Sequence, residues 1–129
     1  MEPSEEFHAL AKKNPGRFKY LQTDVTDEAS VQRSVNAIVE AEGAFHGMVC
    51  NAGMTKHQPA LDFTREQVEQ LFKLNVFGAF SCAQIAARKF IELGIKGSIV
   101  FTASVRILEK TCQDAKYHLG GTVAARHSI

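Results

Sequence analysis

A chain of 129 residues, 45% apolar and 22% charged, has room for one domain with one core and is too apolar to stay disordered. Its formal net charge of +1 offers no bulk attraction to nucleic acid or to an anionic membrane. No stretch suits a bilayer span: the longest uncharged run, Leu74 to Ala87, is short and broken by Asn75, Ser81 and Gln84.

The start, Met1-Glu2-Pro3-Ser4-Glu5-Glu6, is acidic and lacks the basic and apolar parts of a signal peptide. Cys50, Cys82 and Cys112 are an odd number at wide spacing and read as free thiols of a reducing compartment, so a cytoplasmic location is expected. Glu5 to Asn14 is predicted as a helix capped by Ser4, with Phe7, Leu10 and Ala11 on one face and Pro15-Gly16 as its stop. Phe18 to Thr23 alternates apolar and polar residues and is predicted as a strand. Thr26 or Asp27 caps the next helix, whose stripe is Val31, Val35, Ile38 and Val39 and which ends near Gly43. Gly47-Met48-Val49-Cys50 is a short apolar run of the kind found in buried parallel strands.

A polar loop follows Asn51-Ala52-Gly53. Thr64 with Gln67 then forms a capping box for one long helix reaching about Leu93, which Gly94 ends. Ser98 to Thr102 is a further strand. The alternation of helix and strand implies an α/β fold, an incomplete doubly wound parallel sheet of three strands over residues 1–104. Residues 105–129 show no periodicity and are expected to form an irregular tail that packs poorly on the sheet.

Several residues sit oddly for a purely structural role. Asn75 lies within the apolar stripe of its helix, where a polar amide must find partners; a nearby carbonyl or water would do, and so would a functional contact. Gly78 weakens the same helix and points to close packing. Asn51-Ala52-Gly53 follows the carboxyl end of a parallel strand, which is a turn position and also where open α/β sheets bind ligands. Asp24-Val25 and Ser104 occupy the same ends of the neighbouring predicted strands. The histidines have no metal-ligand spacing, and no nucleic-acid motif is present.

Asp24-Val25-Thr26-Asp27, Cys50-Asn51-Ala52-Gly53, Leu74-Asn75-Val76-Phe77-Gly78 and Ile99-Val100-Phe101-Thr102-Ala103-Ser104, in that order and spacing, resemble the middle of a short-chain dehydrogenase/reductase over about residues 5 to 104. The stretches Asn75 to Phe90 and Gly97 to Ser104 are most similar to fungal sugar-ketone and polyol members, such as sorbose, xylulose or mannitol reductases. The resemblance implies a Rossmann-like sheet and an NADP(H)- or NAD(H)-dependent oxidoreductase acting on a small carbonyl substrate, and it leaves a homo-oligomer open. Asp24 and Val25 would then bind the adenine, and Asn51, Ala52 and Gly53 the ribose side. Asn75 would hold a water of a proton relay, and Ser104 would bond the substrate oxygen. Tyr117 stands thirteen residues after Ser104, a family spacing for the catalytic tyrosine, but Gly121 occupies the position where the family has its lysine.

The glycine-rich pyrophosphate turn, Gly-x-x-x-Gly-x-Gly, occurs nowhere in these residues. These departures imply an inactive chain, with a non-catalytic fragment keeping part of an adenosine pocket or an oligomer interface as the alternative. In the family sheet, ordered 3-2-1-4-5, Phe18–Thr23 and Gly47–Cys50 are not neighbours. Direct pairing between them is expected here, because unpaired buried backbone groups cost about 1–3 kcal/mol each.

Overall fold

The computed structural model describes residues 2–103 and the backbone of 126–128. Helix α1 (Glu5–Lys13) starts where the Ser4 hydroxyl accepts from the Phe7 amide at 3.2 Å. Helix α2 (Glu28–Glu42) starts at Asp27, which accepts from the Ala29 amide, and ends at Gly43 with φ of 71°, a backbone conformation open to glycine. Strand β1 (Gly47–Cys50) follows. After a single 3₁₀ turn at Ala60–Asp62, Thr64 and Gln67 close a capping box at the start of α3 (Arg65–Phe72). The chain then widens into a π-helical segment, Lys73–Gly78, and returns to α-helix in α4 (Ala79–Leu93) before strand β2 (Ser98–Phe101). The single long helix expected from the sequence is therefore interrupted by one π-turn.

Strands β1 and β2 pair in parallel, Gly47 opposite Ser98 through Cys50 opposite Phe101. This alternation divides their side chains cleanly. Met48, Cys50, Ile99 and Phe101 turn toward the helices, and Val49 and Val100 turn away and stay 64% and 39% exposed. The core lies on the helix side: Val31 and Val35 of α2 meet Cys82, Ile85, Ala86 and Phe90 of α4 over Cys50 and Ile99. Phe90 stacks on Phe45 with ring centroids 5.3 Å apart. Gly97 leaves room for that ring, since a Cβ there would stand 2.4–2.5 Å from three of its atoms.

The α/β class and the parallel pairing agree with the sequence reading, and two of its details do not. Phe18–Thr23 forms no strand and does not pair with β1. Its alternation is spent on side chains instead. Phe18 and Tyr20 pack edge-to-face on Phe7 of α1, Lys19 pairs with Glu42, and Thr23 and Asp24 are pegged to Ser34 and Ser30 of α2. The third strand of the sheet is β3 (Arg126–Ser128), antiparallel to β2, so the end of the predicted irregular tail joins the sheet edge after all. A backbone edge of β2 offers unpaired donors and acceptors to any extended segment, whatever its side-chain periodicity.

Candidate functional site

Two segments meet at the π-segment Lys73–Gly78, the loop after β1 and the Asp24–Thr26 turn. At one end Asn75 holds the loop after β1 in a two-way clasp: its Oδ1 accepts from the Met54 amide at 2.9 Å and its Nδ2 donates to the Met54 carbonyl at 2.8 Å. This pairing satisfies the amide that stood out in the apolar stripe. A single side chain thereby closes a miniature β-type pair with a residue 21 positions earlier. Gly53 makes the approach possible, because a Cβ there would lie 3.2 Å from the Asn75 oxygen. A π-turn lets the helix present such a side chain off the regular α-helical face, a common arrangement at functional sites.

At the other end Gly78 is buried against Val25, with a notional Cβ 3.1 Å from both the Val25 Cγ2 and its carbonyl oxygen. Any larger residue would push the Asp24–Thr26 turn away. That turn is itself fixed. Asp24 Oδ1 accepts from both the Thr26 amide and the Thr26 hydroxyl at 2.8 Å, which holds the exposed carboxyl below its ordinary range, helped by the nearby Lys73 charge. The other carboxylate oxygen remains to accept from a ligand. Asp24, Val25, Ala52, Gly53 and Asn75 are thus gathered at one end of the sheet, with Asn51 leaving β1 beside them. Ser104 and Tyr117 lie outside the described residues.

Beside the site, a cavity of about 290 Å³ runs between β1 and α2, lined by Val25, Val31, Val35, Met48, Ala52 and Cys82 among others. Burial raises the Cys50 thiol to about 11, with a lesser push from Cys82, whose own thiol is also raised by burial. Both are therefore neutral at physiological pH and poor nucleophiles. Among the described residues no group of His, Cys, Asp or Glu could hold a metal ion, and no helix is long and apolar enough to cross a membrane.

The π-turn and the role of Met54 were not foreseen from the sequence. The signal available was Asn75 and Gly78 three residues apart in one apolar stripe. It marks close packing, but six residues are too few for periodicity to separate a π-turn from an α-turn.

The short chain dehydrogenase family matches residues 1–118, and the chain belongs to that family. It is 38% identical over 90 residues to an L-2,3-butanediol dehydrogenase of Corynebacterium glutamicum, covering 70% of this chain and 35% of that protein. A short-chain type dehydrogenase/reductase from Mycobacterium marinum shares the fold with a TM-score of 0.66 at 31% identity, covering 72% of this chain and 38% of its own. An NAD⁺-bound xylitol dehydrogenase aligns with a TM-score of 0.61 at 29% identity, covering 69% of this chain and 34% of the other. The chain thus spans little more than a third of the length of the relatives it matches.

The dinucleotide implied by the family finds partial complementarity in these residues. The free oxygen of Asp24 and the half-buried Val25 suit an adenine amino group and ring face, and Ala52-Gly53 leave space beside them. The described residues contain no glycine-rich turn of the kind that receives a pyrophosphate.

Proposed function

We propose that this chain carries the adenosine-side half of an NADP(H)- or NAD(H)-dependent oxidoreductase site for an alcohol–carbonyl pair of the sugar-ketone or polyol class, working in the cytoplasm. The observation that supports this reading is the convergence on one π-turn of the Asp24–Thr26 turn, through Gly78, and of the Gly53–Met54 loop, through Asn75. A purely structural helix has no need to be unwound there, and the residues brought together are those the family resemblance assigns to cofactor and relay. Similarity to dehydrogenases of butanediol and xylitol supports the substrate class.

In this reading Asp24 accepts a hydrogen bond from the adenine amino group and Val25 packs on the ring. Asn51, Ala52 and Gly53 leave room for the ribose. A nicotinamide cofactor, when bound, supplies the hydride donor or acceptor. Ser104 bonds the substrate oxygen and steadies its developing charge. Asn75 serves the relay as a positioning residue: its side-chain amide is already engaged by Met54, so it contributes a fixed π-turn and loop, not a free amide.

Proton transfer falls to Tyr117, and here the sequence works against turnover. The position four residues later, where the family's lysine assists the phenol in proton transfer, is Gly121 here. These 129 residues alone are therefore proposed to bind weakly and not to turn over, and that same departure favours the second reading, a non-catalytic adenosine-binding or oligomer-forming unit. A homo-oligomer is part of the proposal, supported by Phe72, Val76, Phe77 and Phe80, which are 41–62% exposed along the α3–α4 rod.

The test is titration with NADPH and NADH followed by amide NMR, together with a rate assay on ketoses and polyols. Shifts centred on Asp24, Val25 and Asn51, with affinity near the millimolar range expected of a few polar contacts and lost in Asp24→Ala, are the expected result. Binding that leaves those amides unmoved would refute the adenosine site. Cofactor-dependent turnover abolished by Ser104→Ala would refute the expected inactivity.

A further inference from the structure

Gly78 stands where the π-segment passes into α4, with φ of −60° and ψ of −46°, an ordinary right-handed helical conformation. The backbone there does not require glycine, and glycine weakens a helix interior relative to alanine. What the missing side chain supplies is space, and Val25 of the Asp24–Thr26 turn fills it. The turn has little freedom to retreat. Val31 and Val35 of α2 share one buried core with Cys82, Ile85 and Ala86 of α4, so the two helices keep a fixed separation. On the α2 side the Asp24 amide donates to the Ser30 hydroxyl at 3.0 Å, and the Asp27 amide donates to the Asp24 carbonyl at 3.2 Å as the helix begins.

A Cβ at position 78 would lie 3.1 Å from the Val25 Cγ2 and equally 3.1 Å from the Val25 carbonyl oxygen. Carbon atoms pack at about 3.5–4.0 Å, so the turn would have to withdraw by about half an ångström. A new Val25 rotamer relieves only the first contact, because the second is to backbone. The Asp24 carboxylate would travel with the turn, since its Oδ1 accepts from the Thr26 amide and hydroxyl at 2.8 Å. A hydrogen bond from an amino group to an oxygen spans about 2.7–3.2 Å, so such a displacement equals the whole width of that window.

We infer that Gly78 is a positioning residue of the adenosine pocket: its bare Cα sets how closely the Asp24–Thr26 turn lies on α4, and so where Asp24 presents its free carboxylate oxygen to the 6-amino group of a purine. The inference rests on the adenosine reading above and adds to it a residue that acts through Val25 without touching the nucleotide. A role in packing alone predicts lost stability with no change in which purine is preferred. Positioning predicts a lost preference. A 6-oxo purine offers an acceptor where adenine offers a donor, while the ring face, ribose and phosphate stay the same. The ratio of AMP to IMP affinity therefore reads the Asp24 contact separately from everything the two nucleotides share.

The test is titration of the 129-residue chain with AMP and with IMP, followed at the Asp24, Val25 and Thr26 amides by NMR. The unmodified chain should half-saturate with AMP at a concentration about fivefold or more below that for IMP, and Gly78→Ala should bring the ratio under about twofold. Gly97→Ala, which crowds the Phe90 ring in the core, is the destabilised control and should keep the unmodified ratio. Should Gly78→Ala fail to fold, Val25→Ala removes one of the two crowded atoms and leaves the carbonyl. Gly78→Ala combined with Val25→Ala should then show a ratio at least about twofold below that of Val25→Ala alone. The assignment is overturned by a folded Gly78→Ala chain that keeps the AMP preference, by a double variant that matches Val25→Ala, or by the same loss in Gly97→Ala, which would make it an effect of stability. An unmodified chain that binds AMP and IMP alike, or neither, overturns the adenosine reading itself and this assignment with it.

Discussion

Replacing Asn75 by Ala removes both bonds to Met54 and leaves the rest of the π-segment in place. Each neutral hydrogen bond contributes about 0.5–1.5 kcal/mol net. Met54 is 44% exposed, so its freed amide and carbonyl can reach water and no burial penalty is added. Alanine recovers up to about 0.7 kcal/mol of helix propensity relative to asparagine. The balance is a loss of about 1–2 kcal/mol, or ~3–5 °C in Tm for each kcal/mol in a domain of this size. Urea unfolding gives the stability change, and hydrogen exchange at Met54 locates it: that amide should exchange faster while Val31 in the core does not. Asn75→Asp should be worse than alanine at neutral pH, because its second carboxylate oxygen would face the Met54 carbonyl, and should recover as the carboxyl is protonated. A loss below about 0.3 kcal/mol with Met54 exchange unchanged would refute the clasp.

Gly97→Ala drives a Cβ into the Phe90 ring, which is 1% exposed and cannot swing out; about 1–3 kcal/mol or more should be lost on urea unfolding and partly restored by Phe90→Leu, whereas a neutral outcome would contradict the packing. The buried Cys50 thiol stays protonated to about 11 when folded against 9.0 unfolded, so its stabilisation is complete below pH 9 and lost between pH 9 and 11. On the order of 2 kcal/mol is at stake, and urea midpoints in Cys50→Ala should fall less steeply over that range; parallel profiles would exclude this origin. Phe80→Asp should convert a self-associating chain to monomer in sedimentation velocity, and a wild-type chain monomeric at its highest soluble concentration would remove the basis for a homo-oligomer.

The helices and the parallel pair were legible because their signals are local. Ser4, Asp27 and the Thr64–Gln67 box mark helix starts, and the two short apolar runs suit paired strands, although only one of their faces is covered by the helices here. Phe18–Thr23 misled because alternation states only that one face seeks apolar company. Here α1 supplies that company through Phe7, and the sheet is not needed. Arg126–Ser128 was illegible for the converse reason: its pairing with β2 rests on main-chain groups that every residue but proline carries. Within the site, Asn75 and Gly78 announced themselves as exceptions to the apolar stripe. Met54, the partner of Asn75, did not, because a long-range backbone contact leaves no mark on the residue that receives it, and the contact of Val25 with Gly78 was not legible either, although Val25 itself was singled out.

The two pegs from α2 to the segment before it give the molecule a mechanical division. α1 buries none of its own residues and rests on Phe18 and Tyr20, which are themselves nearly half exposed, so this end can open at little cost. Ser34 and Ser30 grip Thr23 and Asp24 just beyond it. Fraying that begins at the amino end therefore has to break those two bonds before it reaches the Asp24–Thr26 turn. The weakly held α1 is separated from the Asp24–Thr26 turn by a pair of hydroxyl groups.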